Sequence, residues 1–110
     1  MLNNPNVRFY PQAKDDLADI LAYLRNEAST QLAQQFLDAV VASVERLVEH
    51  PELGVRRSYR SPLLRNVRMF SLPKFSRYLL FYQSKDGVVY IIRLIHGARN
   101  LEALFSSPYS

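Results

Sequence analysis

The chain has 110 residues, 48% of them hydrophobic, with fourteen Lys/Arg, ten Asp/Glu and no cysteine. That length fits one domain spanning residues 1–110, able to bury about 65% of its unfolded surface without staples. Disulfide frameworks and thiolate nucleophiles are excluded, and no apolar run reaches the roughly 20 residues of a membrane span. The opening Met1-Leu2-Asn3-Asn4-Pro5-Asn6 lacks the basic and apolar regions of a signal peptide, so a soluble, cytoplasmic protein is expected.

The net charge of +4 conceals an asymmetry. Residues 1–52 hold four basic and eight acidic residues, whereas residues 53–110 hold ten basic and two acidic ones. No acid occurs between Leu53 and Lys85. Such a basic half attracts nucleic acid or an acidic protein, unless it is only a solvated face.

In chain order, Val7-Arg8-Phe9-Tyr10 reads as a short strand. Pro11 then suits the first position of a helix, where its missing N–H costs little. Ala13, Leu17, Ile20, Leu21, Leu24 and Ala28 recur at spacings of mostly three and four, giving one apolar helical stripe. Asp15, Asp16 and Asp19 in its first half are expected to favour the positive end of the helix dipole. Ser29 or Thr30 can cap a second helix. Its stripe is Ala33, Phe36, Leu37, Val40, Val44, Leu47 and Val48, and Pro51 and Gly54 end it. The short join predicts an antiparallel helical hairpin.

Leu53 to Pro62 shows no period and is read as a loop. A strand starts at Asn66-Val67-Arg68-Met69-Phe70 and is interrupted at Leu72-Pro73-Lys74. The strongest strands are Arg77 to Tyr82 and Val88 to Ile95, around an Asp86-Gly87 turn whose residues tolerate positive φ. Their near-continuous apolar character predicts cover on both faces. The helical hairpin supplies one cover; Leu101-Glu102-Ala103-Leu104-Phe105, read as a short C-terminal helix, or another protein supplies the other. The expected fold is α+β, in the order β-α-α-β-β-β, with a helical hairpin on a small, mostly antiparallel sheet.

These elements and their residues resemble the RelE/ParE superfamily of type II toxin–antitoxin toxins, with the ParE branch the nearer likeness. The resemblance runs from about Val7 to Leu104. It rests on Ala13, Asp16-Leu17, Ile20 and Tyr23 in the first helix, and on Ala33, Phe36, Leu47, Pro51 and Gly54 in and after the second. Arg65, Arg68 and Tyr82 add to it, and Ile-Arg-Leu-Ile-His-Gly-Ala-Arg-Asn over residues 92–100 closes it. Asn100 stands where the family usually has Asp; both residues cap helices. The resemblance implies a cytoplasmic, plasmid-stabilisation type of toxin without metal or cofactor. Its partner would be a co-encoded antitoxin, a ribbon-helix-helix ParD-like protein with an acidic C-terminal tail, in a hetero-oligomer. DNA gyrase would be the target, inhibited by binding. The alternatives are a RelE-like ribosome-dependent mRNA endoribonuclease and an inactive toxin-derived binding module.

Candidate target-binding residues are Arg56, Arg57, Arg60, Arg65, Arg68, Lys74 and Arg77, seven of the fourteen cations with no acid among them. Direct nucleic-acid contact by this cluster is a further expectation, since phosphate binding depends mainly on such charge. Candidate antitoxin contacts are Leu21, Leu24 and Phe36, where their stripe is not used internally, and Arg93, which either is paired or faces a partner. RNA cleavage would need a base, an acid and cations; its candidates are His96, Arg65 and Arg99, with Tyr109 the other proton carrier. His96 beside Gly97 is read first as locking a turn through its ring. Neither His50 nor His96 has zinc-type ligand spacing around it.

Overall fold

The computed structural model of the chain describes residues 4–56 and 66–97. They form β1 (Val7–Phe9), α1 (Pro11–Glu27), α2 (Thr30–Glu49), a single 3₁₀ turn (Pro51–Leu53), β2 (Val55–Arg56), β3 (Arg68–Leu72), β4 (Phe75–Lys85) and β5 (Val88–His96). The five described strands make one sheet in the order β1-β5-β4-β3-β2. All neighbours are antiparallel except β1 and β5, whose parallel register pairs Val7 with Val89 and Phe9 with Ile91. The order β-α-α-β-β-β holds, with one addition: two residues of the expected loop, Val55 and Arg56, pair with Met69 and Arg68 as an edge strand. Two residues are too few to show a period, so the sequence hid them. The expected C-terminal helix lies outside the described residues.

The helices follow their apolar stripes. Ala13, Leu17 and Leu24 of α1 are buried, as are Ala33, Phe36, Leu37, Val40, Val44 and Leu47 of α2. Pro11 opens α1, and the Ser29 hydroxyl caps α2 by accepting the Leu32 N–H at 2.9 Å. This hairpin covers one face of the sheet, where Leu72, Leu80, Tyr82, Val89, Ile91 and Leu94 complete the main core. On the opposite face Val67, Phe81, Ile92 and Ile95 form a second buried cluster. Both faces of the central strands are therefore covered, as their continuous apolar runs require.

The turns depart from the expectation in one place. Asp86 (φ 54°) and Gly87 (φ 80°) make the expected two-residue hairpin turn. Pro73-Lys74, read as an interruption, is itself a tight turn between β3 and β4, with Lys74 held at φ 68°. Two irregularities then re-aim the sheet. Opposite β3, Ser71 pairs with Leu79 but Leu72 with Phe75, so β4 bulges over Ser76–Tyr78. In β5 the register slips by one at Ile92, between the Tyr82–Ile91 and Phe81–Arg93 pairs. A bulge of this kind reverses the inside–outside alternation beyond it. Val89 and Ile91 face the helices before the bulge, and Leu94 does so after it.

Candidate functional site

The candidate residues do not converge on one point. Arg56 pairs with Arg68 at the start of β3, whereas Lys74 and Arg77 follow its end. At about 3.3 Å per residue the five-residue strand separates the two groups by roughly 16 Å. Arg56, Lys74 and Arg77 are exposed. Arg57, Arg60, Arg65, Arg99 and Tyr109 lie outside the described residues.

Arg68 is half-buried and points its guanidinium back into the protein. Its Nη1 donates to the carbonyls of Gly54 at 2.8 Å and Glu52 at 3.3 Å. It shares this task with Tyr82, a completely buried residue of β4. The Tyr82 hydroxyl accepts the Gly54 N–H at 2.8 Å and donates to the Pro51 carbonyl at 2.7 Å. A Cβ on Gly54 would sit 2.6 Å from the Tyr82 ring and hydroxyl, so glycine is there for space, not for an unusual φ. Burial pushes the Tyr82 phenol above its usual value, against the opposing pull of the Gly54 bond and the Arg68 charge. The two side chains thus clamp the turn that delivers Arg56, whose Nη2 in turn donates to Asn66 Oδ1 at 2.8 Å.

At the other end of the sheet, β1 stops after three residues while β5 runs on for nine. Asp16 of α1 takes the missing neighbour's place. Its Oδ2 accepts the Leu94 N–H at 3.0 Å and Arg93 Nε at 2.8 Å, and its Oδ1 accepts Arg93 Nη2 at 3.0 Å. Arg93 is therefore paired within the chain. Asp16 lies beyond the first turn of α1 and works as this cap, not as the partner of the helix dipole that its place in the sequence suggests. Nothing in the spacing of two residues 77 apart announces such a pair.

His96 ends β5 with its ring edge-on to Tyr78 (centroids 5.2 Å, 84°), and Tyr78 packs the same way on Phe36 (5.0 Å, 73°). Burial, reinforced by the nearby Tyr23 phenol, raises Tyr78 above the ordinary tyrosine value. Next to it, Gly97 N–H donates to the Arg77 carbonyl at 2.6 Å. A Cβ on Gly97 would meet that oxygen and the Leu79 side chain at 3.2 Å. The His-Gly pair thus seats the end of β5 against β4. No group of three or more potential metal ligands occurs among the described residues, and none of their helices is long and apolar enough to cross a membrane.

Of the apolar candidates, Phe36 is completely buried and Leu24 is 8% exposed, both within the core. Leu21 is half-buried and lines a crevice of about 410 Å³ between β1 and α1, with Val7, Phe9, Leu17, Ala18, Arg8 and Lys14. A second groove of about 620 Å³ lies at the turn end of the sheet, lined by Tyr10, Asn66, Gln83, Ser84, Lys85 and Tyr90. Nothing in the sequence marks these two tyrosines, because Tyr10 sits in a strand-to-helix link and Tyr90 in an apolar run.

No curated protein sequence matches the chain. Among solved structures it is similar to one described as the chromosomal ParDE toxin–antitoxin system from P. aeruginosa. The TM-score is 0.66 at 19% identity, over 83% of this chain and 94% of that one. At that identity the likeness speaks for the fold. The profile of the ParE toxin of the type II toxin–antitoxin system parDE matches residues 7–101. That span takes in the Asp16–Arg93 cap, the Tyr82 clamp and the His96-Gly97 seat, and the chain belongs to the ParE toxin family of type II toxin–antitoxin systems.

Proposed function

We propose that this chain is a toxin that inhibits DNA gyrase by binding it in the cytoplasm, and that a co-encoded antitoxin neutralises it. The family match over residues 7–101 carries the reading. The exposed Arg56, Lys74 and Arg77, on an acid-free stretch of sequence, support a target surface that works by charge and shape. Arg68 serves that surface indirectly, by holding the turn before Arg56. His96, packed on Tyr78, has a structural part in this reading.

The antitoxin is a ParD-like ribbon-helix-helix protein with an acidic C-terminal tail, in a hetero-oligomer with the toxin. The crevice beside Leu21 suits that tail, since Phe9, Leu17 and Leu21 offer apolar contact while Arg8 and Lys14 flank it with positive charge. The test is a gyrase supercoiling assay with purified toxin. Inhibition that the antitoxin reverses, and that an Arg56→Glu, Arg77→Glu variant weakens at least tenfold, is expected. A sample that arrests growth in cells yet leaves supercoiling untouched at every excess refutes the gyrase reading.

A further inference from the structure

The groove at the turn end of the sheet combines features that the toxin reading does not use. Tyr90 lies on the face away from the helices, since its neighbours Val89 and Ile91 point into the main core. In one row across the strands, Arg8 pairs with Tyr90 and Tyr90 with Gln83. Tyr10, 43% exposed, meets Tyr90 with ring centroids 6.4 Å apart and planes at 68°. The two rings make an L-shaped corner in which a flat group can lie on one face with its edge toward the other ring. The carboxamides of Asn66 and Gln83, the Ser84 side chain and the Lys85 ammonium also line it, and no carboxylate belongs to it among the described residues. Asn66 is oriented by its bond from Arg56, which Oδ1 accepts.

An aromatic corner, two carboxamides and flanking cations form the chemistry that takes an unpaired nucleobase and its phosphate. Aromatic rings stack any base, a carboxamide such as that of Asn66 reads its polar edge, and Lys meets the backbone. We propose that this groove, Tyr10, Tyr90, Asn66, Gln83 and Lys85, binds single-stranded nucleic acid. The net positive charge of residues 53–110 draws the strand in. This binding is independent of how the toxin meets gyrase.

The test is fluorescence anisotropy of the full chain with end-labelled dT12 and rU12, against an abasic 12-mer of equal charge. A dissociation constant of roughly 10–100 µM at low salt is expected for dT12 and rU12, and at least about fivefold weaker binding for the abasic strand. Tyr10→Ala and Tyr90→Ala should each cost about fivefold or more, while Tyr10→Phe binds like the parent. With Lys85 meeting one phosphate, a fourfold rise in salt weakens binding by about 2.6-fold, and Lys85→Gln lowers the logarithmic slope by about 0.7. Thermal melts confirm that each variant is folded; Tyr10, at the exposed corner, keeps the test valid should Tyr90→Ala unfold. Equal affinity for dT12 and the abasic strand, or a folded Tyr10→Ala variant that binds dT12 like the parent, overturns the proposal and leaves a surface that attracts charge alone. A gyrase assay that fails while dT12 binding persists would remove the toxin target and leave this site standing.

Discussion

Replacing Asp16 by Ala removes three hydrogen bonds at once, two from Arg93 and one from the Leu94 N–H. The Arg93 side chain is only 17% exposed and that of Asp16 16%, so water replaces little of what is lost. Hydrogen bonds to charged groups contribute about 1.5–3 kcal/mol each when broken singly. Stranding one member of a fully buried pair costs about 3–5 kcal/mol. With one-sixth exposure, the expected loss for Asp16→Ala is about 3 kcal/mol. Arg93→Met keeps the Asp16 bond to the strand and should cost about 2 kcal/mol. The double variant should cost less than the two together by about 1.5 kcal/mol, the coupling of residues that share a network. Urea unfolding at constant slope measures these differences, and a chain of this size should lose roughly 12–18 °C in Tm with Asp16→Ala. An Asp16→Ala variant within about 0.5 kcal/mol of the parent, or additivity of the two single changes, would refute the view that this carboxylate closes the strand edge.

Gly54→Ala must push its methyl into the Tyr82 ring 2.6 Å away, and should cost about 2–3 kcal/mol by chemical denaturation, within the range of overpacked cores. Gly87→Ala meets no atom within 4 Å but sits at φ +80°, so its cost should be only about 1 kcal/mol. Lys74→Gly relieves a side chain from φ 68° and should raise stability by up to about 1 kcal/mol. Tyr82 holds its proton more tightly folded than unfolded, chiefly through burial. The unfolded chain therefore releases it first, and stability that is complete below the ordinary tyrosine value of 10.0 falls as pH rises past it. Urea midpoints from pH 8 upward should show that fall, and Tyr82→Phe should flatten it; an identical slope in both proteins removes Tyr82 as the cause.

The helices and the last hairpin were legible because their signals are local. Apolar residues every three or four positions marked α1 and α2, and Asp86-Gly87 marked the turn, so the core from Ala33 to Leu47 could be named in advance. The candidate sites were less legible because they depend on pairs far apart in the chain. Arg68 and Arg93 look alike as strand cations. One turns inward to the carbonyls of Glu52 and Gly54, the other to Asp16, and only the fold decides which charge remains for a partner. Phe36 was half of an ambiguous stripe until Phe75 and Tyr78 closed over it. The bulge at Ile92 added a second obstacle, since a strict alternation of faces along β5 misplaces every residue beyond it.

The parallel pairing of Val7–Phe9 with Val89–Ile91 also governs when the molecule can fold. The first strand has no partner in the sheet until a segment about 80 residues further along the chain has been made. β1 and the Asp16 carboxylate must wait for β5, so closure of the sheet is a late and slow step set by sequence separation. For a toxin, that delay is a built-in interval after synthesis. Under the proposed function, the nascent chain in that interval has exposed apolar strands and no finished surface, and is open to capture by an antitoxin.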